Sequence, residues 1–418
     1  MRAPVLFLTV FFGIYFDAGI GWGSLRIPSV SALALLLLLP NRLRALSVCS
    51  STILLFAAMA VFSYLIGSER TPDDKAISSG LQTAWTIYFG TLVFMALRTI
   101  KLDVLGRTAL YCAVALTAFA CLEVLGPLES LSNWFGQTVY GTGVGFSYYG
   151  VHDFSIERDI ALAGFRRPTV MSPEPSTAAL GITVLGLTYY SCHQSSRRAA
   201  FCLALVSVLW MLFRSPTVLV GGAFVLLCEL FRQRRGMLRI GVAAGAVIFL
   251  AVVLELLQER VARVITDPTI ASTTSEGIRL ILPFINLWNS LAAGNVFGVG
   301  PGAQYDRGLV QSLNPFGVEQ FGTNAFALLL FYYGPALGFL LVYLIYRIYR
   351  RIGLDASDVY YFVGTFGFLT FSLGAIESVR LLGYLSIMTV AFYHVRLKCR
   401  TNSQLGYAEH LHLVHHRR

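Results

Sequence analysis

Hydrophobic residues run together in this chain instead of alternating with polar ones. Stretches such as SALALLLLLP, STILLFAAMAVFSYLIG and GVAAGAVIFLAVVLELL carry no charge, or carry it only at one end. An apolar stretch of about 20 residues matches the thickness of a bilayer core. Lipid offers no partners to an open backbone, so repeated runs of this kind predict membrane-spanning helices. Taking the short basic clusters as turns gives about twelve spans, at 3–21, 28–40, 45–67, 76–97, 104–126, 175–192, 199–213, 217–231, 240–257, 322–346, 358–376 and 381–395. The expected fold is an all-α polytopic membrane protein. A soluble globule is excluded.

In this scheme residues 1–126 hold the first five spans and 127–174 form a large outer loop. Residues 175–257 hold four more spans, and 258–321 form a second large outer loop. The last three spans occupy 322–395, and 396–418 form a cytoplasmic tail.

Composition agrees: 56% of the 418 residues are hydrophobic and only 13% are charged. The net charge of +10 would suggest nucleic acid in a soluble protein. Here Lys and Arg gather at 42–44, 98–107, 197–198, 232–239, 347–351 and 396–400, between the apolar runs. Such clusters mark the cytoplasmic side of a membrane protein. The lipid bilayer is the expected partner, nucleic acid is not, and both termini fall in the cytoplasm. The first apolar segment shows no small-residue cleavage site and reads as a retained helix. The cysteines follow no metal-binding or disulfide pattern.

The cytoplasmic connections are too short for a nucleotide-binding domain, so chemistry is expected outside. Loops beyond about 12–15 residues are usually functional or disordered. The outer loops contain NWFGQTVYGTGVGFSYYG and GIRLILPFINLWNSLAAGNVFGVGPG, compositions that favour structure over disorder. The second opens as an amphipathic helix with Ile278, Leu282, Ile285 and Trp288/Asn289 on one face. It ends in a glycine turn containing Gly298, Gly300 and Gly302. Both loops are expected to cap the membrane's outer face.

The outer basic residues are arginines, among them Arg166, Arg167, Arg214, Arg279, Arg307 and Arg380, with Lys75 the only lysine. A planar guanidinium fork suits bidentate phosphate binding. That points to an anionic, phosphorylated ligand, with lipid headgroups as the alternative. Arg214 lies midway along LWMLFRSPTVLVGG, a run flanked on both sides by cytoplasmic clusters. Equal flanks require an even number of crossings, so Arg214-Ser215-Pro216-Thr217 is expected to be a tight outer turn. Arg214 should then sit just inside the boundary and face a cavity, a placement that marks function. In RRPTVMSPEPS, prolines on both sides fix the backbone of Glu174. Its carboxylate is a candidate general base or acceptor contact. The other reading is a salt bridge or a cap on the span beginning at Pro175.

Four of these patterns resemble the O-antigen polymerase/ligase superfamily of bacterial envelope glycosyltransferases. They are RRPTVMSPEPSTAAL, the arginine turn FRSPTVLVGG, GIRLILPFINLWNSLAAGNVFGVGPGAQY, and TNAFALLLFYYGPALGFLL. They cover residues 165–345 in the family's order. The turn reads Arg-Ser-Pro-Thr, with its arginine shifted by one from the family's Ser-Arg-Thr. Thr323 stands where ligases and several relatives carry histidine, which favours the polymerase branch.

The resemblance implies a GT-C-like enzyme in the bacterial cytoplasmic (inner) membrane. It would join polyprenyl-diphosphate-linked oligosaccharide repeat units at the outer face, without metal or cofactor. It implies Glu174, Arg214 and Arg279 as catalytic residues, with Arg166, Arg167, Ser176, Thr217, Gly298, Gly300, Gly302 and Asn324 binding substrate. A flippase and a chain-length regulator are the implied protein partners. Two other functions remain open at this point. One is a ligase that moves finished glycan to a lipid or protein acceptor. The other is a transporter or flippase, which would favour polar residues along spans and helices broken at the midplane.

Overall fold

A computed structural model of the protein describes residues 2–17, 20–22, 25–27, 39–67, 73–140, 160, 164–232, 277–314, 321–322, 324–354, 359–374 and 378–392. Helices dominate them. They are α1 (Arg2–Phe16), α2 (Arg42–Gly67), α3 (Asp73–Leu97), α4 (Leu102–Val124), the short α5 (Glu129–Phe135), α6 (Pro175–Cys192) and α7 (Ser196–Phe213). There follow α8 (Pro216–Arg232), α9 (Leu282–Ala292), the short α10 (Arg307–Leu313), α11 (Ala325–Ile352), α12 (Val359–Ser372) and α13 (Val379–Phe392). The departure from an all-helical expectation is a ribbon in which β1 (Ile20–Trp22) pairs antiparallel with β2 (Leu25–Ile27).

Five helices are long and apolar enough to cross a membrane: those at Arg42–Leu65, Lys75–Leu97, Leu102–Val124, Ser196–Phe213 and Ala325–Ile352. Large apolar side chains such as Leu54, Leu65, Tyr111, Met211 and Phe339 lie exposed on them. In water so much uncovered apolar surface would drive association. Facing acyl chains it costs nothing, as in a multi-pass membrane protein.

The structure adjusts several expected boundaries. The expected spans at 28–40 and 240–257 fall outside the described residues, except for Leu39 and Pro40. The helix expected at 3–21 stops at Phe16, because Asp17 takes a left-handed conformation (φ 39°) and the chain turns into the ribbon. In the segment expected to form the second outer loop, a π-helical turn, Gly277–Ile281, precedes α9. The face of α9 that is buried carries Leu282, Asn286, Leu287 and Ser290, whereas Trp288 is exposed. The helix docks on α11 with Asn286 donating to the Phe321 carbonyl at 3.1 Å, so a polar residue occupies the inner face.

The centre of the bundle is α6, and only Ser176, Thr177 and Tyr189 escape full burial along it. Protein rather than lipid surrounds this helix, which explains its tolerance of threonine and glycine. Thr183 and Thr188 return their hydroxyl protons to the carbonyls of Ala179 and Val184, each at 2.7 Å, so no polar group is stranded. Antiparallel to it runs α4, whose Asp103 meets His193 at 3.0 Å at one end and whose Glu123 meets Thr169 at the other. Running parallel is α8: Gly221 abuts Thr183, and Tyr190 donates to Glu229 at 2.7 Å. That register sets the start of α8 level with the first turn of α6.

The long helix α11 is broken at Gly334 (φ 67°, ψ 169°) and Pro335. The break frees the carbonyls of Phe331 and Tyr332, which accept from the backbone N–H groups of Val299 and Gly300 at 3.0 Å each. The glycine turn therefore plugs a kink. A Cβ on Gly298 would lie 2.3 Å from the Tyr332 oxygen, and one on Gly334 would lie 2.0 Å from the Val296 oxygen. Only glycine at both positions permits the contact.

Candidate functional site

Glu174 is the N-cap residue of α6, in extended conformation (φ −143°), with Pro175 opening the helix. Proline suits that first position because its missing N–H would have no partner there. The carboxylate accepts from the Ser176 hydroxyl at 3.0 Å and lies 3.9 Å from the Arg279 guanidinium. Arg279 donates to the same Ser176 oxygen at 2.8 Å. The serine thus bridges acid and base, and all three are partly exposed.

Asn324 holds Arg279 from behind. Its Nδ2 donates to the Arg279 carbonyl at 3.0 Å, while its Oδ1 accepts from the N–H groups of Phe326 and Ala327, each at 3.0 Å. One buried asparagine therefore caps α11 and ties the π-helical turn carrying Arg279 to it. Segments about 100 and 150 residues downstream of Glu174 meet at the head of α6.

The other expected residues divide. Arg214 ends α7 in a left-handed conformation (φ 47°), with Ser215 and Pro216 turning directly into α8. This is the tight turn that the sequence predicts. Arg214 is exposed, and its guanidinium lies 5.9 Å from the Phe165 ring. Arg167 donates to the Phe213 carbonyl at 3.4 Å, which ties the incoming loop to the same turn. Thr217 is buried in the first turn of α8, and the neighbouring Ser215 hydroxyl is buried with no hydrogen-bond partner among the described residues. Arg166 is held by Glu129 and Asn133 of α5. Gly298 and Gly300 lie against the α11 break, and Gly302 packs on the Lys75 backbone at the head of α3. These three glycines shape the scaffold around the α11 break and the head of α3.

Residues that sequence reasoning left aside support the site. Val170 and Met171 both take positive φ, 51° and 56°, a costly conformation for a β-branched residue. The buried Glu123 carboxylate offsets that strain. It accepts from the N–H groups of Thr169 and Val170, each at 2.8 Å, and from the Thr169 hydroxyl at 3.2 Å. Ser132 accepts from the Met171 N–H at 3.1 Å, and Tyr15 donates to the Val170 carbonyl at 2.9 Å. Three separate helices thereby fix the turn that delivers Glu174. The sequence shows Glu123 only as a carboxylate near a span end, and nothing local pairs it with Thr169.

Arg380, grouped with the outer arginines by sequence, is buried and donates to the carbonyls of Ile14 and Tyr15 at the end of α1. It pins α13 to α1. His152 lies outside the described residues. Among the described residues no group of three His, Cys, Asp or Glu side chains has metal-binding spacing. No family model, curated protein or solved structure matches the chain.

Proposed function

We propose that the chain is a membrane glycosyltransferase that polymerises polyprenyl-diphosphate-linked oligosaccharide repeat units at the outer face of the bacterial cytoplasmic membrane. Its product would be O-antigen, capsule or exopolysaccharide. The observation that carries the reading is the meeting of Glu174, Ser176 and Arg279 on one partly exposed surface, backed by Asn324. A carboxylate beside a guanidinium is the minimum set for displacing a diphosphate by a hydroxyl.

In this mechanism the arriving diphosphate competes with Glu174 and Ser176 for Arg279. The freed carboxylate takes the proton of the acceptor hydroxyl, whose oxygen attacks the anomeric carbon. The bond from that carbon to the diphosphate oxygen breaks, and the leaving charge falls on Arg279 and on Arg214 from the α7–α8 turn. Fixed positive charge at the site of developing negative charge is usually the largest catalytic contribution. Arg167 lies beside that turn. Arg166, committed to Glu129, positions the loop instead of binding substrate. The reading carries with it a twelve-span, GT-C-like topology with both termini cytoplasmic, and a flippase and a chain-length regulator as partners.

The test is reconstitution of purified protein with lipid-linked repeat units. A ladder of chain lengths is expected. Transfer of glycan to another acceptor with no ladder would move the same residues into a ligase, and no transfer at all would sink the enzyme reading.

A further inference from the structure

At the far end of the bundle from Glu174, α2 and α11 part to leave a cavity of about 260 Å³. That this is the opposite end follows from Arg98, which leaves α3 and donates to the Ile352 carbonyl closing α11, just before α4 begins. The cavity is lined by Ser51 and Thr52 of α2, by Arg347 and Arg351 of α11, and by apolar Leu55 and Leu344.

Arg347 and Arg351 are four residues apart and so share one face of α11. Helical side chains lean toward their own N-terminus, which carries both guanidinium groups from the helix end toward the cavity, where both residues remain exposed. Neither has a hydrogen bond or ion pair among the described residues; Arg347 lies over the Tyr343 ring. Topology alone requires basic residues near this end, but it does not require two of them around a cavity with two hydroxyls. Like charges held together repel without an anion, and arginines at a membrane surface attract anionic headgroups. Leu55 of the lining is itself exposed, as are Leu340 and Tyr343 four residues before Leu344 and Arg347 on α11, and they offer acyl chains a surface that a water-soluble phosphate would not use.

We propose that this cavity is a binding site for the phosphate headgroup of an anionic phospholipid. The two arginines and the Ser51 and Thr52 hydroxyls hold the phosphate, and the acyl chains lie along Leu55 and the neighbouring leucines. Net negative charge on the headgroup favours it over a zwitterionic lipid, whose ammonium would meet Arg347 and Arg351.

The experiment uses the full-length chain in detergent, titrated with phosphatidylglycerol, phosphatidylcholine or inorganic phosphate. Binding is read by native mass spectrometry and thermal unfolding. Phosphatidylglycerol should be retained and should raise the unfolding temperature, while phosphatidylcholine and inorganic phosphate do neither. Arg347→Gln/Arg351→Gln should weaken retention by roughly ten- to thirtyfold, since each arginine near an anionic surface contributes about fivefold. Arg350→Gln removes a charge on the same turn outside the cavity and should leave retention unchanged. Ser51→Phe fills the cavity without altering charge and should weaken retention as the double variant does. That keeps the test decisive if the double variant fails to fold. Equal loss in Arg350→Gln, undiminished retention in Ser51→Phe, or stabilisation by inorganic phosphate alone would overturn the site.

Discussion

The Ser176 hydroxyl accepts from the Arg279 guanidinium at 2.8 Å, across 103 positions of sequence. A hydrogen bond of that length between two partly exposed side chains is readily exchanged for a ligand. Arg279 can therefore be claimed by an anion without dismantling the fold.

Replacing Arg279 with Ala should lower the transfer rate by roughly 10²–10³, the usual effect of removing one preorganised donor from developing negative charge. Arg279→Lys should recover little, because an ammonium cannot reproduce the two-pronged geometry. Rates with lipid-linked repeat units, measured at matched membrane yield, check both. Near wild-type activity in the lysine variant would reduce Arg279 to a simple point charge.

Glu123→Gln should destabilise the protein by about 1.5–3 kcal/mol, the range for hydrogen bonds to a charged group. The carboxamide keeps one accepting oxygen and turns an amino group toward an N–H that the carboxylate now satisfies. The turn at Val170 and Met171 then loses its counterweight. Thermal unfolding in detergent measures the loss, and faster proteolysis near Arg166 and Arg167 would show where it falls.

What could be read from the sequence follows the reach of each signal. Apolar runs marked out α2, α3, α4, α7 and α11 because a span is a local property of about 20 consecutive residues. The Arg214 turn was also legible, since counting crossings between equal flanks needs no contact information. Pairings were not. Nothing near Asn324 announces that its side chain would hold the Arg279 backbone, or near Arg166 that Glu129 would claim it. The face of α9 was misjudged because its inner side carries Asn286 and Ser290, which a hydrophobic pattern treats as outward. Gly298, Gly300 and Gly302 drew attention as a motif, but their spacing alone could not separate a ligand loop from a plug for a broken helix.

Gly298→Ala and Gly334→Ala should each cost at least about 1–3 kcal/mol from backbone strain alone. The added carbon would also lie 2.3 Å and 2.0 Å, respectively, from a carbonyl oxygen. Gly367→Ala is the control. It lies within α12, and nothing stands within 4 Å of its added carbon. It should be neutral or stabilising by up to about 1 kcal/mol, as alanine replaces glycine in a helix. The ordering of unfolding temperatures among the three checks the plug.

Asp17 and Arg380 are both buried, 3.9 Å apart, and Arg380 also closes α1 by donating to the Ile14 and Tyr15 carbonyls. Removing one partner leaves the other charge without compensation, so Asp17→Asn or Arg380→Gln should each cost about 3–5 kcal/mol. The double variant should lose less than the sum. A thermodynamic cycle over the four proteins measures the coupling, and strict additivity would mean that the pair contributes nothing as a pair.

Glu174→Gln separates the two roles open to this residue. As general base, the carboxylate supplies typically about 10²–10⁴ in rate, and the amide can supply none of it. As an N-cap it supplies little, for its side chain caps no helix N–H and accepts from the Ser176 hydroxyl instead. The amide oxygen can still accept from Ser176, so the fold and the position of Arg279 should survive. The expected outcome is a severe loss of turnover with unchanged unfolding temperature and retained binding of the lipid diphosphate donor. Loss of stability with turnover preserved per folded molecule would assign Glu174 to structure, and the proton would then have to leave by another acceptor.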